Sequence, residues 1–276
     1  MSKAGKAFTQ LVELVATLRG PDGCPWDREQ TLQSLGQFVL EEAYEVVDAI
    51  DRDDLDALRE EVGDHIFEGV FLAQIASDRG AFDAADALRV VTEKLVRRHP
   101  HVFRRDGTPH DATSRERAPS AGAALARWDA QKAADRVAAG PSPGALAGLP
   151  GSLPALLRAF KIGKRVAAVG FDWQRAQDVV EKIREEVNEL GDALETEAGD
   201  AERAEEEMGD LLFTIANLSR KLGIEPEAAL RRANDKFTRR FSAMERGIIE
   251  SGRRPEELSL DQLEEEWQRT KSVTPT

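Results

Sequence analysis

One cysteine, Cys24, stands in the chain of 276 residues. No intrachain disulfide can form, and no thiolate zinc cage can be built. Histidine is nearly as scarce: His65, His99, His101 and His110 are the four, so none follows residue 110. Aromatic residues make up 6%, with a single tyrosine, and no sustained alternation of β-branched residues signals a strand. No apolar run approaches the roughly 20 residues of a membrane span. The opening Met1-Ser2-Lys3-Ala4-Gly5-Lys6 has no apolar signal core. Positive charge is in deficit too: 38 Lys and Arg against 51 Asp and Glu give a net charge of −13. That field repels a polyphosphate backbone and disfavours general nucleic-acid binding, while leaving room for a small phosphorylated ligand. A soluble, cytoplasmic protein with no nucleic-acid or membrane partner is the expectation.

What is abundant is helix-forming Ala, Leu, Glu and Arg. Val39, Leu40, Ala43, Val46, Val47 and Ile50 fall on one side of a helix at 100° per residue. Breaks come at Gly20-Pro21-Asp22-Gly23, Gly140-Pro141-Ser142-Pro143-Gly144 and Pro150-Gly151. The fold class is all-α. A polar stretch near 104–122, then a short helix with Trp128, precede the Gly/Pro-rich segment. The pattern also repeats. Glu41-Glu42-x-x-Glu45 recurs as Glu185-Glu186-x-x-Glu189, and Glu61-Val62-Gly63-Asp64 as Glu207-Met208-Gly209-Asp210. Lys94-x-x-x-Arg98 recurs as Lys236-x-x-x-Arg240, and Trp128-x-x-x-Lys132 as Trp267-x-x-x-Lys271. Trp26-Asp27 and Asp172-Trp173 precede the two acidic pairs. Five matches in the same order mean an internal duplication. The expected division is a first repeat over 1–135, a linker over 136–152, and a second repeat over 153–276.

Glu42 and Glu45 share a helix face by their spacing of three, as do Glu61 and Asp64. Leu58, Val62, Ile66, Phe67, Val70, Phe71, Leu72 and Ile75 wrap most of the second of these helices, and Met208, Leu211, Leu212, Phe213, Ile215 and Leu218 do the same in the other repeat. The acids Glu61, Asp64, Glu207 and Asp210 are therefore expected on largely buried helices. Unpaired buried carboxylates cost several kcal/mol each, so cations must neutralise them. The candidate ligands are all oxygens, and the second repeat has no histidine. Zinc and Glu-x-x-His di-iron chemistry are disfavoured, whereas Mg²⁺ or Mn²⁺ fits. Two such ions about 3.5–4 Å apart would activate a water and clamp a phosphoanhydride.

Lys182 lies one turn before Glu186, Arg203 one turn before Glu207, and Lys236 and Arg240 are one turn apart. Each could hold phosphate oxygens, or be an ordinary surface cation. Trp267 could stack on a base or close the core. His99 and His101, around Pro100, read as a helix stop. The copies differ: Phe38 stands at the position of Lys182, and Ala57 at that of Arg203. Neither a Gly-x-x-x-x-Gly-Lys loop nor Gly-x-Gly-x-x-Gly is present, so phosphate chemistry must run through the carboxylates.

With these motifs, with Cys24-Pro25-Trp26-Asp27, Arg97-Arg98-His99-Pro100-His101-Val102-Phe103, Gly170-Phe171-Asp172-Trp173 and Glu206-Glu207-Met208-Gly209-Asp210-Leu211-Leu212-Phe213, the chain resembles, over nearly its whole length, the two-repeat MazG family of nucleoside triphosphate pyrophosphohydrolases. The resemblance implies a tandem of all-α bundles assembling as a homodimer. It implies Mg²⁺-dependent cleavage of NTPs and dNTPs to monophosphate and pyrophosphate, with broad base tolerance and a role in cleaning the nucleotide pool. It implies that the second repeat is catalytic, with Glu186, Glu189, Glu207 and Asp210 as metal ligands and Glu42, Glu45, Glu61 and Asp64 as their first-repeat counterparts. Lys182, Arg203, Lys236, Arg240, Trp267 and Lys271 match nucleotide-contacting positions, Arg203 standing where the family has lysine. The leading Glu185 or Glu41 is the candidate to orient or deprotonate the attacking water. Two other readings are a non-catalytic scaffold stapled by metal, and a hydrolase confined to one pyrimidine dNTP.

Overall fold

The computed structural model describes residues 1–111, 118, 120–138, 144–195 and 200–273. Parts of the expected linker (139–143) and of the polar stretch (112–117 and 119) lie outside the described residues. The chain divides into two units, Met1–Gly140 and Pro141–Thr276.

The first unit runs α1 (Lys3–Arg19), α2 (Pro25–Glu29), α3 (Leu35–Asp51), α4 (Leu55–Asp78), α5 (Ala84–Arg98) and α6 (Ala121–Ala138). Among the described residues there is no strand, only an isolated bridge between Phe103 and Pro109. Helix starts are set by short acceptors that satisfy the first backbone N–H groups: Ser2 accepts from Gly5, Asp54 from Ala57, and Asp83 from Asp86. α3 and α4 form a tight hairpin whose connection passes through Asp53, in the left-handed region at φ 54°. Val15, Leu35, Val70, Phe71 and Ile75 make the core, with Phe8, Leu11, Val12, Phe38 and Phe67 around it.

The second unit runs α7 (Ala155–Ala167), α8 (Ala176–Leu194), α9 (Ala201–Lys221) and α10 (Pro226–Glu250), then a 3₁₀ turn (Pro255–Glu257) and α11 (Leu260–Val273). α8 and α9 repeat the α3–α4 hairpin, α7 lies against α9, and α11 packs on α10. Asp200 caps α9 by accepting from the Arg203 N–H at 3.1 Å. The buried apolar residues are Ala159, Val179, Ala193, Ala216, Met244 and Ile248.

α7 and α9 approach closely at Gly163. A Cβ there would sit on the Asn217 side-chain oxygen and within 3.1 Å of the Arg220 Nε. Asn217 is itself buried and accepts from Arg220 Nε at 3.2 Å, so it has little room to yield. Gly163→Ala is therefore expected to destabilise the second unit by about 1–3 kcal/mol, the usual cost of overpacking, outweighing the ~0.5–1 kcal/mol helix preference of alanine. A melting temperature equal to or above that of the parent would contradict this.

The helices carrying the second acidic pair are not buried all round, as their apolar composition suggested. Val62 and Ile66 on α4, and Met208 and Leu212 on α9, are each more than 40% exposed. α1 and α3 cover α4, and α7 and α8 cover α9. Among the described residues, α5 also touches α4 and α10 touches α9, yet these four side chains stay exposed within their own units.

Candidate active site

The α8–α9 hairpin sets the second-repeat site. The N–H of Arg175 donates to Asp178 at 2.9 Å and fixes the start of α8, while Asp200 fixes the start of α9. From those starts Glu186 faces Glu207 and Asp210 across the hairpin. Each of the three offers an oxygen within 4.8 Å of the others'. Glu186 is 3% exposed, Glu207 half-buried and Asp210 exposed. One end of the set is thus enclosed and the other open, which suits a hard cation that keeps positions free for water or phosphate.

Glu189 lies outside this closest triple, on the same face. Burial pushes its carboxyl above the ordinary range, and the Glu207 charge adds to the effect. Lys182 bonds Glu185 at 2.7 Å and Glu186 at 2.9 Å. Those two carboxylates, Glu185 first, hold its ammonium well above the usual lysine range. Arg203 Nε lies 3.7 Å from Glu207. The two cations expected one turn ahead of the carboxylates are therefore in place. Five acids, Glu185 included, against two cations leave the set three charges negative, and every candidate donor is an oxygen. The residues fit a divalent cation.

The other candidate contacts group elsewhere. Trp267 on α11 packs on Phe237 of α10 with ring centroids 5.2 Å apart, and the Lys271 ammonium lies 5.5 Å from the Trp267 centroid. Lys236 and Arg240 are half-buried on α10, and the Arg240 Nε is buried without a hydrogen-bond partner. The ring contacts of Trp267 are with Phe237 and with the Lys271 ammonium.

In the first repeat the close triple is Glu42, Glu45 and Glu61. Asp64, expected as the fourth ligand, is exposed and outside it, whereas its counterpart Asp210 is inside. The two sets are thus not superposable copies. Glu61 is pushed up by burial first and then by Glu45, with which it shares a hydrogen bond. Glu42 is pushed up by burial, then by Glu45 and Asp64. Phe38, at the position of Lys182, turns to the core and meets Trp26 edge-on at 6.0 Å.

Two residues escape a reading by motif. Glu68 on α4 is 6% exposed and feels Glu42 and Asp64. It hides in the apolar run Ile66-Phe67-Glu68-Gly69-Val70-Phe71, although its spacing of four from Asp64 was a signal. Arg220, with Lys221, clamps Asp172: Lys221 Nζ lies 2.7 Å from one carboxylate oxygen, and Arg220 bonds both. Asp172 is thereby committed to structure. Cys24 is a free, half-buried thiol at the start of α2.

A family profile described as the MazG nucleotide pyrophosphohydrolase domain matches twice, over residues 30–103 and 174–243. Those segments hold all eight acids of the two sets, with Lys182, Arg203, Lys236 and Arg240, but not Trp267 or Lys271. The nucleoside triphosphate pyrophosphohydrolase of Escherichia coli K12 is 44% identical over 263 residues, 95% of this chain and 96% of that one. A Thermotoga maritima protein named nucleoside triphosphate pyrophosphohydrolase/pyrophosphatase MazG is 43% identical over 277 residues, spanning both chains completely. A nucleoside triphosphate pyrophosphohydrolase of Mycolicibacterium smegmatis is 32% identical over 168 residues, 60% of this chain and 48% of its own.

Proposed function

The chain belongs to the MazG nucleotide pyrophosphohydrolase family, and from that premise we propose that its second repeat carries the chemistry, with Mg²⁺ or Mn²⁺ as cofactor. It is a nucleoside triphosphate pyrophosphohydrolase, and the reaction releases pyrophosphate from an NTP or dNTP. The observation that supports the assignment is the Glu186–Glu207–Asp210 triple, enclosed at one end and flanked by Lys182 and Arg203.

Glu186, Glu189, Glu207 and Asp210 would hold the divalent ion, which when bound polarises a phosphoryl oxygen and lowers the pKa of a water. Lys182 and Arg203 set positive charge one turn from those ligands, where phosphate oxygens need it. Glu185 is exposed and tethered to Lys182. Glu185 is the candidate in this reading to orient or deprotonate the attacking water, and its ion pair with Lys182 restrains it. Broad base tolerance follows from a site whose gathered cations address phosphate. The runner-up, an enzyme for one pyrimidine dNTP, is separated from it by competing all eight nucleotides. The open side of α9 next to the carboxylates, with Met208, Leu212 and Ile215 exposed, supports a homodimer, and nucleotide-pool cleaning is the matching cellular role.

Pyrophosphate release from MgATP is expected to vanish in excess EDTA. Mg²⁺ or Mn²⁺ should restore it and Ca²⁺ should do so poorly, because Ca²⁺ takes longer bonds and more ligands than a tight octahedral site offers. Undiminished turnover in chelator would refute metal dependence.

A further inference from the structure

The turn that leaves α7 carries two aromatic residues that the carboxylate chemistry does not use, Phe171 and Trp173. Gly170, in the left-handed region at φ 89°, lies just past the end of α7, and the N–H of Phe171 donates back to the Val166 carbonyl at 3.1 Å, the usual glycine closure of a helix. Arg220 and Lys221 hold Asp172 between the two rings, and the Lys221 ammonium also donates to the Trp173 carbonyl. Both rings are thus held at their backbone, yet Phe171 is 78% exposed and adds little to the core.

Between this turn, α7 and α9 lies a cavity of about 500 Å³, lined among others by Ile162, Val166, Phe171, Trp173, Phe213 and Asn217. Its size and apolar walls suit a small ring ligand. Of its polar lining, Asp172 is committed to Arg220 and Lys221. Asn217 is 2% exposed, and its side-chain oxygen accepts from Arg220 Nε at 3.2 Å, which leaves the NH₂ to donate. Phe213 and Asn217 follow Asp210 by three and seven residues, so all three share a face of α9. At 1.5 Å per residue, the cavity spans about 5–10 Å along the helix from Asp210. A nucleotide with its phosphates at the Glu186–Glu207–Asp210 triple has its base one sugar away, in that direction or another. In the first repeat the ring of Trp26 is met edge-on by Phe38. Lys182 replaces Phe38 in the second, with its ammonium on Glu185 and Glu186. One exchange thus removes a ring partner and supplies a phosphate cation.

We propose that this cavity receives the nucleobase of the substrate, against the rings of Trp173 and Phe171, with the Asn217 amide donating to the base edge. Stacking accepts any base by its π-face, and nucleobases carry ring-nitrogen or carbonyl acceptors for a single donor. Such a cavity favours a base over none without choosing among bases. Trp267 lies on α11 against Phe237 and does not line it. The proposal rests on the reading that the second repeat hydrolyses nucleotides at its carboxylates, and adds to it where the base goes.

The test is the steady-state kinetics of pyrophosphate release from MgATP and MgCTP by the full chain, with inorganic tripolyphosphate as a competitor that has no base. Wild type is compared with Phe171→Ala, Trp173→Ala and Trp173→Phe, with melting temperatures and light-scattering masses alongside. The exposure of Phe171 keeps its variant folded even where Trp173→Ala is not. Phe171→Ala and Trp173→Ala should raise KM for both nucleotides about tenfold, on the scale of losing one aromatic stack on a base. Their kcat should change little, as for an interaction made equally in the ground and transition states. Trp173→Phe should keep a KM near that of wild type, and the tripolyphosphate inhibition constant should be the same in all four proteins. An unchanged KM in folded Phe171→Ala would overturn the base cavity while leaving the activity reading intact, and a lower mass with that unchanged KM would assign the cavity to a second copy of the chain. An equal weakening of tripolyphosphate would also overturn it, making the turn a support for the carboxylate site. No pyrophosphate release by wild type from any nucleotide would overturn both readings.

Discussion

Glu207→Gln is expected to lower kcat for nucleoside triphosphate hydrolysis at least about 100-fold, on the scale of losing one key electrostatic group. The folded chain should change little. Glu207 contributes to the close triple with Glu186 and Asp210, so the amide removes one anionic ligand from a set that has few to spare. Its bond to Arg203 is long, at 3.7 Å, and Arg203 is largely exposed, so little stability is lost with it. Glu207 is also the charge, after burial, that raises Glu189, and neutralising it relieves that repulsion. Initial rates at saturating Mg²⁺, with melting temperatures alongside, decide the matter. A kcat near that of wild type in the folded variant would remove Glu207 from the ligand set.

Glu186→Ala with Glu189→Ala should abolish hydrolysis, whereas Glu42→Ala with Glu45→Ala should spare most of it. Each pair removes at least one acid of a close set, so the contrast rests on what surrounds them. Lys182 and Arg203 flank the second set, and Phe38 and Ala57 hold the matching positions in the first. A charge-assisted hydrogen bond to phosphate is worth on the order of 1–3 kcal/mol. Two missing cations then cost the first repeat roughly 10²–10⁴ in kcat/KM, at tenfold per 1.4 kcal/mol. Loss of activity from the first pair and its retention in the second, with both proteins folded, would reverse the ordering.

Helices and the two acidic sets were legible because each has a local signature. Apolar spacing of three and four marked α3, and the repeated Glu-Glu-x-x-Glu and Glu-x-x-Asp spacings marked the acids. The positions of Lys182 and Arg203 followed from the same periodicity, since a residue one turn away must lie beside its neighbour. Burial did not follow. Val62, Ile66, Met208 and Leu212 have the composition of core residues, yet composition cannot tell a face covered by its own chain from one left open. Asymmetry between the triples, with Asp210 inside and Asp64 outside, depends on side-chain placement across a hairpin, which spacing along one helix does not contain. Glu68 was masked by its apolar neighbours, and the contact of Trp267 with Phe237 joins two helices, which spacing along one helix does not contain.

α9 is held at both ends. Asp200 accepts from its first turn, and at its last turn Arg220 and Lys221 grip Asp172, a pair of cations where the helix dipole also favours positive charge. Glu207 and Asp210 lie between the two anchorages. A rod fixed at both ends bends little at its middle, so the backbone that carries these two acids is set before any ion or phosphate arrives. Preorganisation of that kind removes a reorganisation cost from the moment of reaction. It also makes the far-off Asp172 clamp a determinant of how firmly the backbone beneath Glu207 and Asp210 is held.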